Sequence, residues 1–291
     1  MRIRLGRECP ADVDLDGSSV SPGHLKWLRA RVNELIVKHA VLQPSAVLRS
    51  FVKRFEVTHS LTARMHTLLP DTSLVACFRL DGVALIDGAS TLPSAVLSGL
   101  QDRARVITHL AGSQVLLTVF TEAGAAAFLS EPLDLLFNQT MPMDCLVRRS
   151  RLDELHEQLV DAGDFRRRTE VLERFMLRRL RAEAPDAVAE AVAAHIRNRH
   201  GVVRMEKLAR AMGLSLSALE RRFRRYVGAS PRKFASIARM RQVLRLRKAG
   251  GSLTEIAHGA GYFDQSHFIK DFKSFTGLAP ESFFRESSSF C

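Results

Sequence analysis

The sequence predicts an α+β multidomain chain: a β-rich amino-terminal domain, cupin-like or a small barrel, with a helical hairpin, then an all-α carboxy-terminal domain in which one helix–turn–helix pattern occurs twice. Three observations carry this. Between Leu42 and Cys145 the apolar residues fall in short runs bounded by Pro, Gly and Asp, a strand texture. After Arg148 the apolar period becomes helical. The basic charge is also uneven: Glu183 to Cys291 holds 19 Lys+Arg against 10 Asp+Glu, +9 of a net +12.

A 291-residue chain exceeds one ordinary small domain. It has no apolar run of membrane-spanning length, and Met1 to Pro10 lacks the apolar stretch of a signal peptide, so a cytoplasmic protein without membrane partners is expected. Cys9, Cys77, Cys145 and Cys291 lie too far apart for a C-x-x-C pair or a metal-ligand spacing, and are read as plain thiols.

Residues 1–41 read as a polar tail followed by an amphipathic helix. Asp12, Asp14 and Asp16 have the alternating spacing of a calcium loop but no distal glutamate, so a solvated tail is favoured. The helix is expected from His24 to Ala40, on Leu25, Leu28, Val32, Leu35 and Ile36. Residues 42–148 form the β-rich domain, with strands over Ser73–Leu80, Arg105–Ala111 and Gln114–Phe120, and a cleft or barrel mouth for a ligand. His59, His66 and His109 share no short spacing and are taken as isolated strand residues, not metal ligands. Residues 149–184 form a helical hairpin and linker, broken at Asp161-Ala162-Gly163. The hairpin either packs on its own domain or pairs with its twin in a dimer, and the sequence leaves both open.

From Ala187, short helices follow one another with sharp turns. After Arg204–Met212, Gly213-Leu214-Ser215 combines a residue tolerant of positive φ with a serine cap, the local chemistry of a helix–turn–helix. The next helix, Leu216–Val227, turns Leu219 and Phe223 inward and Ser217, Glu220, Arg221, Arg224 and Arg225 outward, a basic face suited to the major groove. Glu220 either accepts from a cytosine amino group or pairs with a neighbouring arginine.

Ser230-Pro231 opens a long helix to about Lys248, Ser252–Glu255 makes a capping box, and Asp264 caps a helix over Gln265–Phe275. This helix turns Phe268 and Phe272 inward and Gln265, Ser266, His267, Ile269 and Lys270 outward. The aromatic pair is read as core packing. A connecting helix of roughly 27 Å suits two recognition helices reading major-groove segments about 34 Å apart.

The segment Ile256–Pro280 resembles the signature of the AraC/XylS family through Ile256, Ala257, Gly261, Tyr262, Asp264, Gln265, Ser266, His267, Phe268, Phe272, Lys273, Gly277 and Pro280. The first motif is similar through Leu208, Ala209, Ser215, Leu219, Arg221, Phe223, Gly228 and Pro231. Lys270 departs from the arginine common there, keeping charge but losing a bidentate fork. The amino-terminal part resembles the family's β-rich sensory regions through Leu69-Pro70-Asp71 and Phe120–Phe128, with Glu122-Ala123 where proline is common.

The resemblance implies a sequence-specific regulator with its DNA-binding domain over 185–286. It implies double-stranded DNA as partner, with RNA polymerase, a second copy of the chain and a small-molecule effector as further candidates. No catalytic residue, metal or cofactor is expected. The alternative is a DNA-binding module fused to an alkyl-acceptor repair enzyme, but neither an activated-cysteine context nor a phosphate loop occurs. A module with degenerate motifs is disfavoured by the retained arginines.

Overall fold

The computed structural model describes residues 37–88, 90–181 and 185–286. The polar tail with its three aspartates, residues 24–36 of the expected helix, Cys9, Cys291 and the linker at 182–184 lie outside them.

The strands are β1 (Val37–Leu42), β2 (Val52–Ser60), β3 (Arg64–Leu68), β4 (Val75–Asp81), β5 (Ala84–Ile86), β6 (Ser90–Thr91), β7 (Ala95–Ser98), β8 (Arg105–His109), β9 (Ser113–Phe120) and β10 (Thr140–Pro142). They form two antiparallel sheets, ordered β1-β2-β9-β4-β7-β10 and β3-β8-β5-β6, which do not close into one barrel. Residues 37–40 correct the sequence reading: they are strand, paired with β2 from Val37 opposite Ser60 to Leu42 opposite Phe55. The free N–H and C=O groups along the edge of β2 recruit them, and this pairing overrides the 3.6-residue apolar period read there.

The hairpin consists of α1 (Arg149–Asp161) and α2 (Phe165–Leu177). Asp164 caps α2 by accepting from the Arg167 N–H at 3.0 Å. Leu155, Leu159, Val171, Leu172 and Met176 are buried in one cluster with Phe78 and Phe120 of the larger sheet. The hairpin thus packs on the β-rich region of its own chain.

The helices beyond are α3 (Ala187–Asn198), α4 (Met205–Ala211), α5 (Leu216–Val227), α6 (Pro231–Lys248), α7 (Leu253–Gly259), α8 (Gln265–Thr276) and α9 (Pro280–Glu286). Their apolar residues divide between two cores. Phe223, Val227 and Phe234 join the cluster that contains Leu133 and the sheet residues, so the first helix–turn–helix shares the core of the β-rich region. Ile237, Met240, Val243, Ile256, Phe268, Phe272, Phe275 and Phe283 form a second cluster around α8. The connecting helix α6 contributes one face to each.

Candidate nucleic-acid interface

Each motif is built the same way from local chemistry. In the first, Gly213 closes α4 at φ +68°, and the Ser215 hydroxyl accepts from the Ala218 N–H at 3.2 Å to start α5. Leu219 and Phe223 are buried, and Phe223 meets Phe234 edge-to-face at 5.3 Å between ring centroids. Such a pair stabilises by about 1 kcal/mol beyond its buried area. With that face fixed inward, Ser217, Arg221, Arg224 and Arg225 stand exposed and Glu220 half-exposed.

In the second motif Gly261 has φ +75°, Asp264 accepts from the His267 N–H at 2.7 Å, and Phe268 and Phe272 are wholly buried. Gln265, Ser266, His267, Ile269 and Lys270 are all exposed. The preceding helix α7 carries a complete capping box, in which Ser252 and Glu255 bond reciprocally. Those bonds from Ser252 hold the Glu255 carboxyl below the usual range.

The two recognition helices are linked by α6, whose first turn is fixed by Pro231 and by Ser230 accepting from the Lys233 N–H at 3.2 Å. Its 18 residues correspond to about 27 Å. One polar cluster ties α6 to α8: Arg239 lies over the Tyr262 ring at 5.3 Å, and the Tyr262 hydroxyl donates to Asp271 at 2.8 Å. Burial, then the neighbouring Asp271 carboxylate, pushes the Tyr262 phenol far up, so it stays a donor.

Sequence reasoning missed two features of this surface. Arg222 is directed to Asp186, the N-cap of α3, through Nε at 2.8 and 2.9 Å, and so separates from its neighbours Arg221, Arg224 and Arg225. Among the described residues Glu220 makes no ion pair, and the arginine pairing considered for it is not formed. The other feature is Phe263, 94% exposed immediately ahead of Asp264. Its place beside the Gly261 turn was the available signal.

Residues 208–286 match the family described as Helix-turn-helix domain. The chain is 32% identical over 76 residues to the HTH-type transcriptional activator RhaS of Pectobacterium carotovorum subsp. carotovorum (strain PC1), covering 26% of this chain and 27% of that protein. It is also 32% identical over 83 residues to the HTH-type transcriptional regulator MtrA of Neisseria gonorrhoeae, covering 28% of each. Residues 208–286 are an AraC-type helix-turn-helix domain.

The chain spans only about a quarter of the length of these curated relatives, 27% and 28%. Among solved structures, apo ToxT from Vibrio cholerae strain SCE256 is similar over 84% of this chain and 99% of that one, at 13% identity and a TM-score of 0.45.

Outside the AraC-type domain, the three histidines considered as ligands fall in two places. His59 lies on β2, whereas His66 and His109, on adjacent strands β3 and β8, stack at 5.3 Å with rings 6° from parallel. Among the described residues no group of three or more His, Cys, Asp or Glu is placed to hold a metal ion. Burial pushes the Cys77 thiol up to about 12, the opposite of an activated nucleophile. No described helix is long and apolar enough to cross a membrane.

Proposed function

We propose that the chain is a sequence-specific DNA-binding transcription regulator whose two recognition helices, α5 and α8, read successive major-groove segments. The carrying observation is that both helices are capped and packed by one face, while Ser217, Glu220, Arg221, Arg224 and Arg225 on one and Gln265, Ser266, His267, Ile269 and Lys270 on the other remain accessible. The sensory domain of residues 42–148 then takes β1 as its edge strand, followed by the hairpin and linker over 149–184 and the DNA-binding domain over 185–286. In this reading the protein works in the cytoplasm and is not an enzyme. RNA polymerase and a second copy of the chain are further partners, and the relatives' names favour activation.

Modulation by a small effector is supported by an apolar cavity of about 50 Å³ between the larger sheet and the hairpin, lined by Phe78, Thr118, Phe120, Phe175 and Arg179 among others. An apolar cavity of about 150 Å³ accommodates benzene. A ligand of that size would therefore displace α2, whose end leads to α3 and the first motif, and thereby couple binding to the DNA-reading surface.

The test is selection of duplexes from a random pool by the full chain at about 0.15 M salt. Two short boxes about one helical turn, ~34 Å, apart are expected. Binding that is indifferent to sequence and merely weakens with salt would overturn the reading.

A further inference from the structure

Phe263 occupies the residue before the N-cap Asp264, and Phe268 lies four positions into α8. This is the sequence pattern of a hydrophobic staple, in which the two side chains would pack together. The first motif has the same pattern in Leu214 and Leu219, and there Leu214 is half-buried against the core that holds Leu219. In the second motif the staple is not made. Tyr262 packs against Phe268 at 5.3 Å instead, Phe268 is wholly buried, and Phe263 is 94% exposed. The side chain thus has no packing role in its own domain, yet it sits at the amino-terminal end of a recognition helix, beside the exposed Gln265 and Ser266.

Residues at that end of a recognition helix meet base edges in the major groove. The apolar group that a base pair offers there is the thymine 5-methyl. We propose that Phe263 is a specificity-determining residue that packs on a thymine methyl in the box read by α8. The inference rests on the DNA-binding reading above and adds to it an apolar contact outside the polar face of the helix.

The experiment uses the full chain and the duplex recovered by selection, with each thymine of the α8 box replaced singly by uracil, which deletes only the methyl group. Losing one buried methyl should weaken wild-type binding about fourfold at one or two positions. F263A should bind the parent duplex at least about tenfold more weakly and show no further loss with uracil at those positions, while its Tm stays at the wild-type value. F263L, which keeps an apolar side chain, should retain the uracil sensitivity. Wild-type binding that is selective but indifferent to every such replacement overturns the inference alone. So does an F263A protein that keeps full affinity, including one that binds DNA normally but fails to activate, which would place Phe263 against a protein partner. Loss of sequence selectivity in the wild type overturns the DNA-binding reading and this inference with it.

Discussion

Arg241, midway along α6, donates to the Asp71 carboxylate at 2.8 Å, joining the helix between the two recognition motifs to a turn 170 residues earlier. It is one of several such ties. Lys233 at the start of α6 meets Asp102 at 2.8 Å, Arg197 of α3 meets Glu122 at 2.7 Å, and the Ala104 N–H donates to the Phe275 carbonyl at 2.7 Å. The β-rich region therefore contacts the elements of both motifs while leaving their basic faces open.

These ties differ in strength because they differ in burial. Asp71 and Arg241 are half-exposed, so D71N should lower stability by less than about 1 kcal/mol. Glu122 is 11% exposed and one carboxylate oxygen accepts from both Lys53 and Arg197 at 2.7 Å. E122Q should cost roughly 1–3 kcal/mol, since it weakens two charge-assisted bonds at once. Urea unfolding of the two variants checks the order, and equal losses would contradict it.

The stacked His66–His109 pair makes stability depend on pH. Burial foremost, with the charges of His109 and Arg64, lowers His66 to about 4, and burial with Arg64 also lowers His109. Between pH 6.5 and 4 the unfolded chain binds a proton at His66 that the folded chain refuses. Stability should therefore be full well above pH 6.5 and fall as pH drops toward 4, by about 3 kcal/mol. H66N should flatten that part of the profile in thermal unfolding, and an unchanged slope would remove the pair as its cause.

Because α8 has its own core, damage there should stay local. F268A removes a wholly buried ring from the second cluster and should cost about 3–5 kcal/mol. Amide exchange should quicken from Leu253 to Thr276 while β2, β9 and α5 keep their protection. F223A acts on the cluster shared with the sheets and should weaken α5 and the β-rich region together. Uniform loss of protection in F268A would show that the two cores unfold as one.

The carboxy-terminal half was legible because its signals are local. Gly213, Ser215, Ser230-Pro231, Ser252–Glu255 and Asp264 each act within one turn of chain, and the observed α5 and α6 begin where Ser215 and Ser230-Pro231 place them. Features made by distant partners were not legible. β1 reads as the end of a helix until β2 is beside it, and His66 reaches His109 only through the β3–β8 register that sets Arg64 opposite His109. Arg222 resembles its basic neighbours in sequence, and only the position of Asp186 sets it apart.

That separation gives the sharpest test of the interface. Arg221 is exposed, and R221A should weaken binding by about 1–3 kcal/mol with relaxed preference at one base pair if the guanidinium meets a guanine. If it meets phosphate, all sequences should weaken alike and the salt slope should fall by about one. Arg222 is held by Asp186 at the start of α3, whose carboxylate is 6% exposed, so R222A should cost roughly 1–3 kcal/mol of stability yet leave both selectivity and salt slope at wild-type values. Equilibrium binding of both variants across a salt series decides it. An R222A protein with reduced salt slope and an R221A protein with none would exchange their roles and require α5 to turn on its axis when it meets DNA.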